Sequence, residues 1–215
     1  MSLKQREPQP YALADKAISY LSKKAKQRLA QTKRYLIAGF DEANVMYQIE
    51  MLYTLLDRDN RERFISLYEA RYKELVDTED DIHDFVVLEV YKILSEPDPV
   101  TNYAYDTETI RKRERAKESV KSVPGRLQKQ LLVDKAIRLW NQETAQYADI
   151  VSDAATIQAF KDVGVEKVKW VTQNDEKVCS KCNALDGKVF PITQVPTKPH
   201  WRCRCTITSF SAGAE

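Results

Sequence analysis

All four cysteines of this chain fall within its last 37 residues, as Cys179-x2-Cys182 and Cys203-x-Cys205, and one of only two histidines, His200, stands three residues before Cys203. A CxxC turn can bring two thiolates to about 2.3 Å from one tetrahedral ion, and a second donor pair must then close the tetrahedron. If residues 203–210 form a strand, Cys203 and Cys205 point to the same side, because side chains alternate with period two. Asp186-Gly187, between the two pairs, reads as a hairpin turn that folds the chain back over the ion. Five candidate ligands, Cys179, Cys182, His200, Cys203 and Cys205, thus compete for four positions. Either the site is all-cysteine with His200 behind it, or His200 replaces one of Cys203 and Cys205. Two disulfides would instead need an oxidising compartment, and the amino end has no apolar core of the kind a secretory signal carries. A redox-active CxxC would open a helix after a strand, which this segment does not predict. The expectation is one structural Zn2+ stapling a small β-module too poor in apolar residues to fold alone.

The rest of the composition narrows the function mainly by exclusion. Five glycines in 215 residues, none of them clustered, leave no GxGxxG and no Walker-type phosphate loop. With His83 and His200 as the only histidines, a catalytic zinc site of the HExxH or three-histidine kind cannot be assembled. His83 lies among Asp80, Asp81 and Asp84 and reads as an exposed, silent residue. A hydrolase built on Asp175, Glu176 and Asp186 lacks a positioned base or an open metal. No stretch approaches the roughly 18 apolar residues of a membrane span. The expectation is a protein that is not an enzyme and has no membrane partner.

Upstream of residue 165 the hydrophobic spacing is helical throughout. Leu13, Ala17, Leu21, Ala25 and Leu29 recur at four-residue steps, predicting an amphipathic helix over 11–37. Gly39 followed by Asp41 reads as a stop and a fresh cap. Val45, Ile49, Leu52, Leu55 and Leu56 mark a second helix, Arg61 to Val76 a third, and Ile82, Phe85, Val86, Val90 and Ile93 a fourth. Pro97 and Pro99 break the chain at 95–107, and residues 108–122 form an almost wholly charged helix that can bury little. After Pro124-Gly125, a long helix to about 151 and a shorter one over 153–162 precede Gly164, a C-terminal cap. Val168, Trp170 and Thr172 then alternate as one face of a half-buried strand, with Trp170 in the core.

The net charge of +2 averages over opposed blocks: +7 for residues 1–38, −12 for 39–108, +7 for 109–138 and 0 for 139–215. Basic segments flanking an acidic one neutralise it within the fold or between subunits, or contact DNA non-specifically. A zinc-ribbon nucleic-acid-binding regulator is the alternative function; the neutral tail argues against it, because affinity for a nucleic acid grows with the number of phosphates neutralised.

The tail also resembles a known family. KWVTQNDEKVCSKCNALDGKVF followed by PHWRCRCTIT is similar to the tail of the phage head morphogenesis family, the Mu F-type minor head proteins. The matching residues are Trp170, Asp175, Lys177, Val178, Cys179, Cys182, Gly187, Lys188, Phe190, His200, Cys203, Arg204 and Cys205, with Trp201 where the family usually has proline. Asn141-Gln142-Glu143-Thr144 matches in part an Arg-Thr-Glu-Thr-like helical segment of that family. The resemblance covers about residues 127–210. It implies a structural minor head protein of a tailed bacteriophage, acting in capsid assembly and in DNA packaging or ejection at the portal. Its partners would be portal, capsid or scaffold proteins, and its location the capsid interior or portal region of the virion, with assembly in the host cytoplasm. Arg202 and Arg204 alternate with the cysteines, so Arg204 is expected to point away from the metal, toward a partner or an acidic group on the helical body.

The sequence thus predicts an α+β chain by segregation. Residues 1–94 form a helical body, 95–126 a linker or arm with a charged helix, and 127–215 a module of helices followed by a zinc-binding β-hairpin region.

Overall fold

A computed structural model describes residues 2–3, 12–38, 41–173, 175–200 and 203–211. Gly39, Trp201 and Arg202, singled out from the sequence, lie outside the described residues. In chain order the elements are β1 (Ser2–Leu3), α1 (Ala12–Ile37), α2 (Glu42–Leu75), β2 (Val76–Asp77), α3 (His83–Ser95), α4 (Tyr105–Lys121), α5 (Arg126–Asp162), β3 (Lys167–Val171), α6 (Ser180–Asn183), β4 (Val189–Pro191), a 3-10 turn (Ile192–Gln194) and β5 (Thr206–Ser209). The architecture is a helical body followed by a small antiparallel sheet, the expected α+β arrangement.

Helices α1, α2 and α5 pack on one another, and α3 and α4 lie against α2 and α5. The stripe read from the sequence of α1 faces inward: Ala17, Leu21 and Ala25 are buried, and Leu13 and Leu29 pack at the edge of the core. Asp41 caps α2 as expected, its carboxylate accepting from the Asn44 N–H at 2.8 Å. At the centre, Trp140 meets Tyr53 and Tyr105 edge to face at 5.4 and 6.2 Å between ring centroids, and Tyr105 also meets Phe64 and Tyr147. Rings of this kind carry a large share of core burial and favour edge contacts because face and edge have opposite partial charge.

Two pairs of predicted helices are fused in the structure. Residues 42–75 form one helix where the sequence suggests two, and 126–162 form one where a break near 152 is expected. The polar run Asp57-Arg58-Asp59-Asn60 resembles a loop, but it contains no glycine or proline and its polar groups are paired. Asp57 bonds Arg61 one turn on, and Asp59 pairs with Arg28 of α1 at 3.1 Å. Buried Asn60 donates to Tyr105 Oη and Thr144 Oγ1 at 3.0 and 2.9 Å. Near residue 152 the Thr156 hydroxyl returns to the Ser152 carbonyl at 2.9 Å, and small Ala148, Ala155 and Ala159 are fully buried, so the helix continues through a crowded interface. Residues 78–82 precede α3, with the Asp81 carboxylate accepting from the His83 N–H, and β2 just before them pairs with β1, Leu3 opposite Val76.

The charge blocks meet in part across the helices. Arg28 of the first basic block reaches Asp59, and Arg113 and Lys117 of the second both reach Glu50, Arg113 at 2.7 Å. The charged helix α4 is also less solvated than its composition suggests. Tyr105, Glu108, Thr109, Ala116 and Val120 are buried, and Lys112 forms an ion pair with buried Glu143 of α5. Burial pushes the Glu143 carboxyl above its usual range, and Lys112 pulls it back. Ahead of α4, buried Asp98 turns the chain, accepting from the Val100 and Thr101 backbone N–H groups and from Gln146 of α5.

Helix α5 ends as the sequence predicts. Gly164 has φ +76°, its N–H bonds the Lys161 carbonyl, and the Val165 N–H reaches back to Phe160 at 2.9 Å. A methyl group there would meet nothing within 4 Å, so Gly164→Ala is expected to cost only the left-handed backbone penalty, about 1 kcal/mol. The urea midpoint of the variant measures it.

The sheet has the order β4-β3-β5, all antiparallel. Val168 and Trp170 of β3 are buried, with Thr172 just beyond, as the alternation predicts, and Trp170 stands opposite Ile207.

Candidate metal centre

The segment between β3 and β4 is not a tight hairpin. Residues 175–188 make a knuckle in which Cys179 precedes the single turn α6, its sulfur accepting from the Cys182 N–H at 3.4 Å. Asn183 and Ala184 bond back to the carbonyls of Cys179 and Ser180, and Leu185 to that of Cys182. Asp186-Gly187, expected as the hairpin turn, instead leads out of this knuckle into β4. Gly187 has φ +72° and donates to the Trp170 carbonyl, while Asp186 accepts from the Thr172 N–H at 2.8 Å, which lowers the pKa of its carboxyl.

The knuckle presents Cys182 to His200 and Cys203; β5 begins only at Thr206, so Cys203 and Cys205, expected within a strand over 203–210, stand just ahead of it. Cys182 Sγ lies 3.2 Å from His200 Nε2 and 3.4 Å from Cys203 Sγ. The donor atoms of Cys179, Cys182 and His200 all lie within 4.8 Å of one another, as do those of Cys182, Cys203 and Cys205. All five residues singled out from the sequence are therefore drawn together, with Cys182 common to both groups. All four cysteines are free thiols, and Cys182, Cys203 and Cys205 are buried.

The electrostatics suit a cation. Burial and the neighbouring thiols push the Cys182 thiol far up, and burial raises that of Cys203. The N–H of Cys182 and the other groups around Cys179 lower the latter to about 7. Adjacent buried thiols cannot all ionise unless a positive charge sits between them, and a bound metal supplies that charge while satisfying the sulfurs. A set of thiolate sulfurs and one imidazole nitrogen matches a borderline-soft, tetrahedral ion. The cluster can hold a metal ion.

Arg204 stands between Cys203 and Cys205 and turns away from them, as alternation predicts. Its partner within the chain is not on the helical body. It pairs with Asp175 in a two-bond fork at 2.7 and 2.6 Å, and Gln173 donates to its carbonyl at 3.2 Å. Asp175 also accepts from the Lys177 N–H at 3.0 Å, and the guanidinium holds its carboxyl below the usual range. The fork ties the CxxC knuckle to the CxC segment across the donor cluster. Arg204→Ala is expected to leave the metal content unchanged but to speed its loss to a chelator by roughly tenfold, the usual scale for groups that orient ligands. A chelator-competition time course measures it.

A second tie joins the module to the body. Lys198, two residues before His200, pairs with Asp153 of α5 at 2.7 Å. Burial and nearby Asp149 push the Asp153 carboxyl up, and the Arg71 guanidinium opposes them. A cavity of about 250 Å3 lies alongside, walled by Ile150, Ala154 and Ile157 of α5 and by Trp170, Cys203 and Ile207 of the module. Sequence periodicity could not have paired Asp153 with Lys198, because they come from separate elements 45 residues apart.

Residues 108–208 match the family described as phage Mu protein F like protein. This part of the chain is a Mu F-like region. It runs from α4 to β5, and so starts earlier than the resemblance at 127–210 and takes in the charged helix. The Lys112–Glu143 pair joins the first helix of the Mu F-like region to the next, and Glu143-Thr144, the part of the upstream motif that this sequence keeps, is buried there. The family is the phage head group to which the cysteine and histidine pattern pointed. No curated protein and no solved structure matches the chain. Among the described residues no helix is long and apolar enough to cross a membrane.

His83 is exposed, 3.7 Å from Glu69 of α2 and remote in sequence from the cysteine cluster. Of the acidic residues weighed for hydrolysis, Asp175 is taken up by Arg204 and Asp186 by the Thr172 N–H.

Proposed function

We propose that this chain is a structural minor component of a tailed-phage head, acting in head morphogenesis, and that its carboxyl-terminal module is closed around one Zn2+. The observation that carries the reading is the convergence of Cys179, Cys182, His200, Cys203 and Cys205 at the end of a Mu F-like region. Four of the five donors hold the ion and leave no open position, so its role is to fold the module and not to activate water. On this reading the chain is not an enzyme. Its partners are portal, capsid or scaffold proteins, it sits in the capsid interior or at the portal, and it assists packaging or ejection of DNA. Its basic helices make any DNA contact, which is non-specific and salt-dependent.

Quantitative mass spectrometry of purified heads, with metal analysis of the isolated chain, tests both halves. The expected result is a low, fixed ratio of this chain to the major shell protein, and one zinc per chain. Absence from heads and procapsids, with the chain recovered on cellular nucleic acid, would transfer the function to a zinc-ribbon regulator.

A further inference from the structure

Two exposed helix faces remain uncovered among the described residues, and they carry opposite charge. The first half of α5 is apolar on two sides. Val133, Ile137 and Trp140 are buried against the body, while Leu127, Leu131 and Leu139 point outward, 70%, 58% and 47% exposed. Lys135 and Arg138 lie on that outer face. A helix that is apolar on both sides exposes one of them at a cost unless something covers it.

The other face belongs to α3. Val86, Val90 and Leu94 are buried, whereas Leu88 is 70% and Tyr91 46% exposed, one turn apart on the outside. Acidic groups surround this face: Asp77, Glu79, Asp80, Asp81, Asp84 and Glu96 are all exposed, and residues 77–96 carry a net charge of −6. No ion pair with Glu79, Asp80 or Asp84 is formed among the described residues. Both faces are exposed, so neither covers the other within one chain. Helix α3 lies beside the later part of α2, through Tyr91 on Arg61 and Phe85 on Tyr68, whereas the first half of α5 lies against the end of α1 through Asp134 and Lys33.

We infer that a second copy of this chain covers them, the basic leucine face of α5 in one copy docking on the acidic Leu88–Tyr91 face of α3 in the next. Each face supplies apolar residues for the centre of the contact and charges for its rim, the usual anatomy of a protein interface. The opposite signs of the two rims steer the pairing and disfavour α3 on α3 or α5 on α5. The contact joins two different surfaces, so it closes into a reciprocal dimer or a ring or extends as a chain, according to the rotation between copies. The inference is independent of the metal and of the head assignment.

Charge exchange tests it. One variant of the full chain carries Glu79→Lys, Asp80→Lys and Asp84→Lys; the other carries Lys135→Glu and Arg138→Glu. Sedimentation velocity at low salt is expected to show wild-type mass rising above 24.9 kDa with concentration. Each variant alone should remain monomeric, and an equimolar mixture of the two should associate again. Raising NaCl from about 0.05 to about 0.5 M should weaken wild-type association at least roughly tenfold. Far-ultraviolet circular dichroism checks folding, and the single changes Asp84→Lys and Lys135→Glu replace the multiple ones if either variant is unfolded. A wild-type chain monomeric at all concentrations, a mixture that fails to associate, or a basic face that takes up duplex DNA while the chain stays monomeric would overturn the inference.

Discussion

Cys182→Ser is expected to abolish metal binding, from one ion per chain to none, and to unfold the carboxyl-terminal module while the helices persist. Cys182 is the donor shared by both groups of potential ligands and lies beside both His200 and Cys203. Its loss leaves neither group with three donors. The module has little else to hold it. Among its described residues Val168, Trp170, Cys182, Cys203, Cys205 and Ile207 are the only buried hydrophobic side chains, and its strands are three to five residues long. Structural zinc in small modules contributes on the order of 10 kcal/mol, far more than such a core supplies. Metal analysis gives the stoichiometry, and Trp170 fluorescence with far-ultraviolet circular dichroism separates the module from the body. A red-shifted Trp170 beside an unchanged helical signal is the expected pattern; removing the metal from the wild type with a chelator should reproduce it. Retention of metal and of a buried Trp170 in the serine variant would show that the other four residues suffice.

The second large effect lies at the centre of the helical body. Trp140→Ala is expected to destabilise the helical body by about 3–5 kcal/mol, the usual cost of truncating a fully buried aromatic. Trp140 is 1% exposed and stands edge to face with Tyr53 of α2 and Tyr105 of α4. The cavity would therefore open where three helices meet. Equilibrium urea denaturation followed at 222 nm should show the midpoint fall with the slope unchanged, while metal content stays as in the wild type. Loss of metal in this variant would mean that body and module fold as a single unit through the Lys198–Asp153 tie.

Local chemistry was legible from residues close together in sequence. The stripe of α1, the caps at Asp41 and Gly164, the alternation of Val168 and Trp170, and the five donors near the carboxyl end follow from periodicity, backbone freedom and ligand spacing, which act over a few residues. The failures share one cause. Asp57 to Asn60 and the stretch around Ser152 looked like breaks because polar residues weaken an isolated helix, and the charged α4 looked solvated for the same reason. In the structure those polar groups are paired with distant ones: Asp59 with Arg28, Asn60 with Tyr105 and Thr144, and Lys112 with Glu143.

The direction of Arg204 shows the same division at the scale of one residue. Alternation settles that it turns away from Cys203 and Cys205, a consequence of the geometry of an extended chain. That it meets Asp175, 29 residues earlier, is settled only when the knuckle folds beside the closing strand. By itself the sequence determined the helical and β segments, the donor set and the charge blocks, because each depends on neighbours along the chain. The tertiary structure alone decided where helices run on, which buried charges find partners and which apolar faces stay uncovered. Those outcomes depend on desolvation and pairing between groups that only packing brings together.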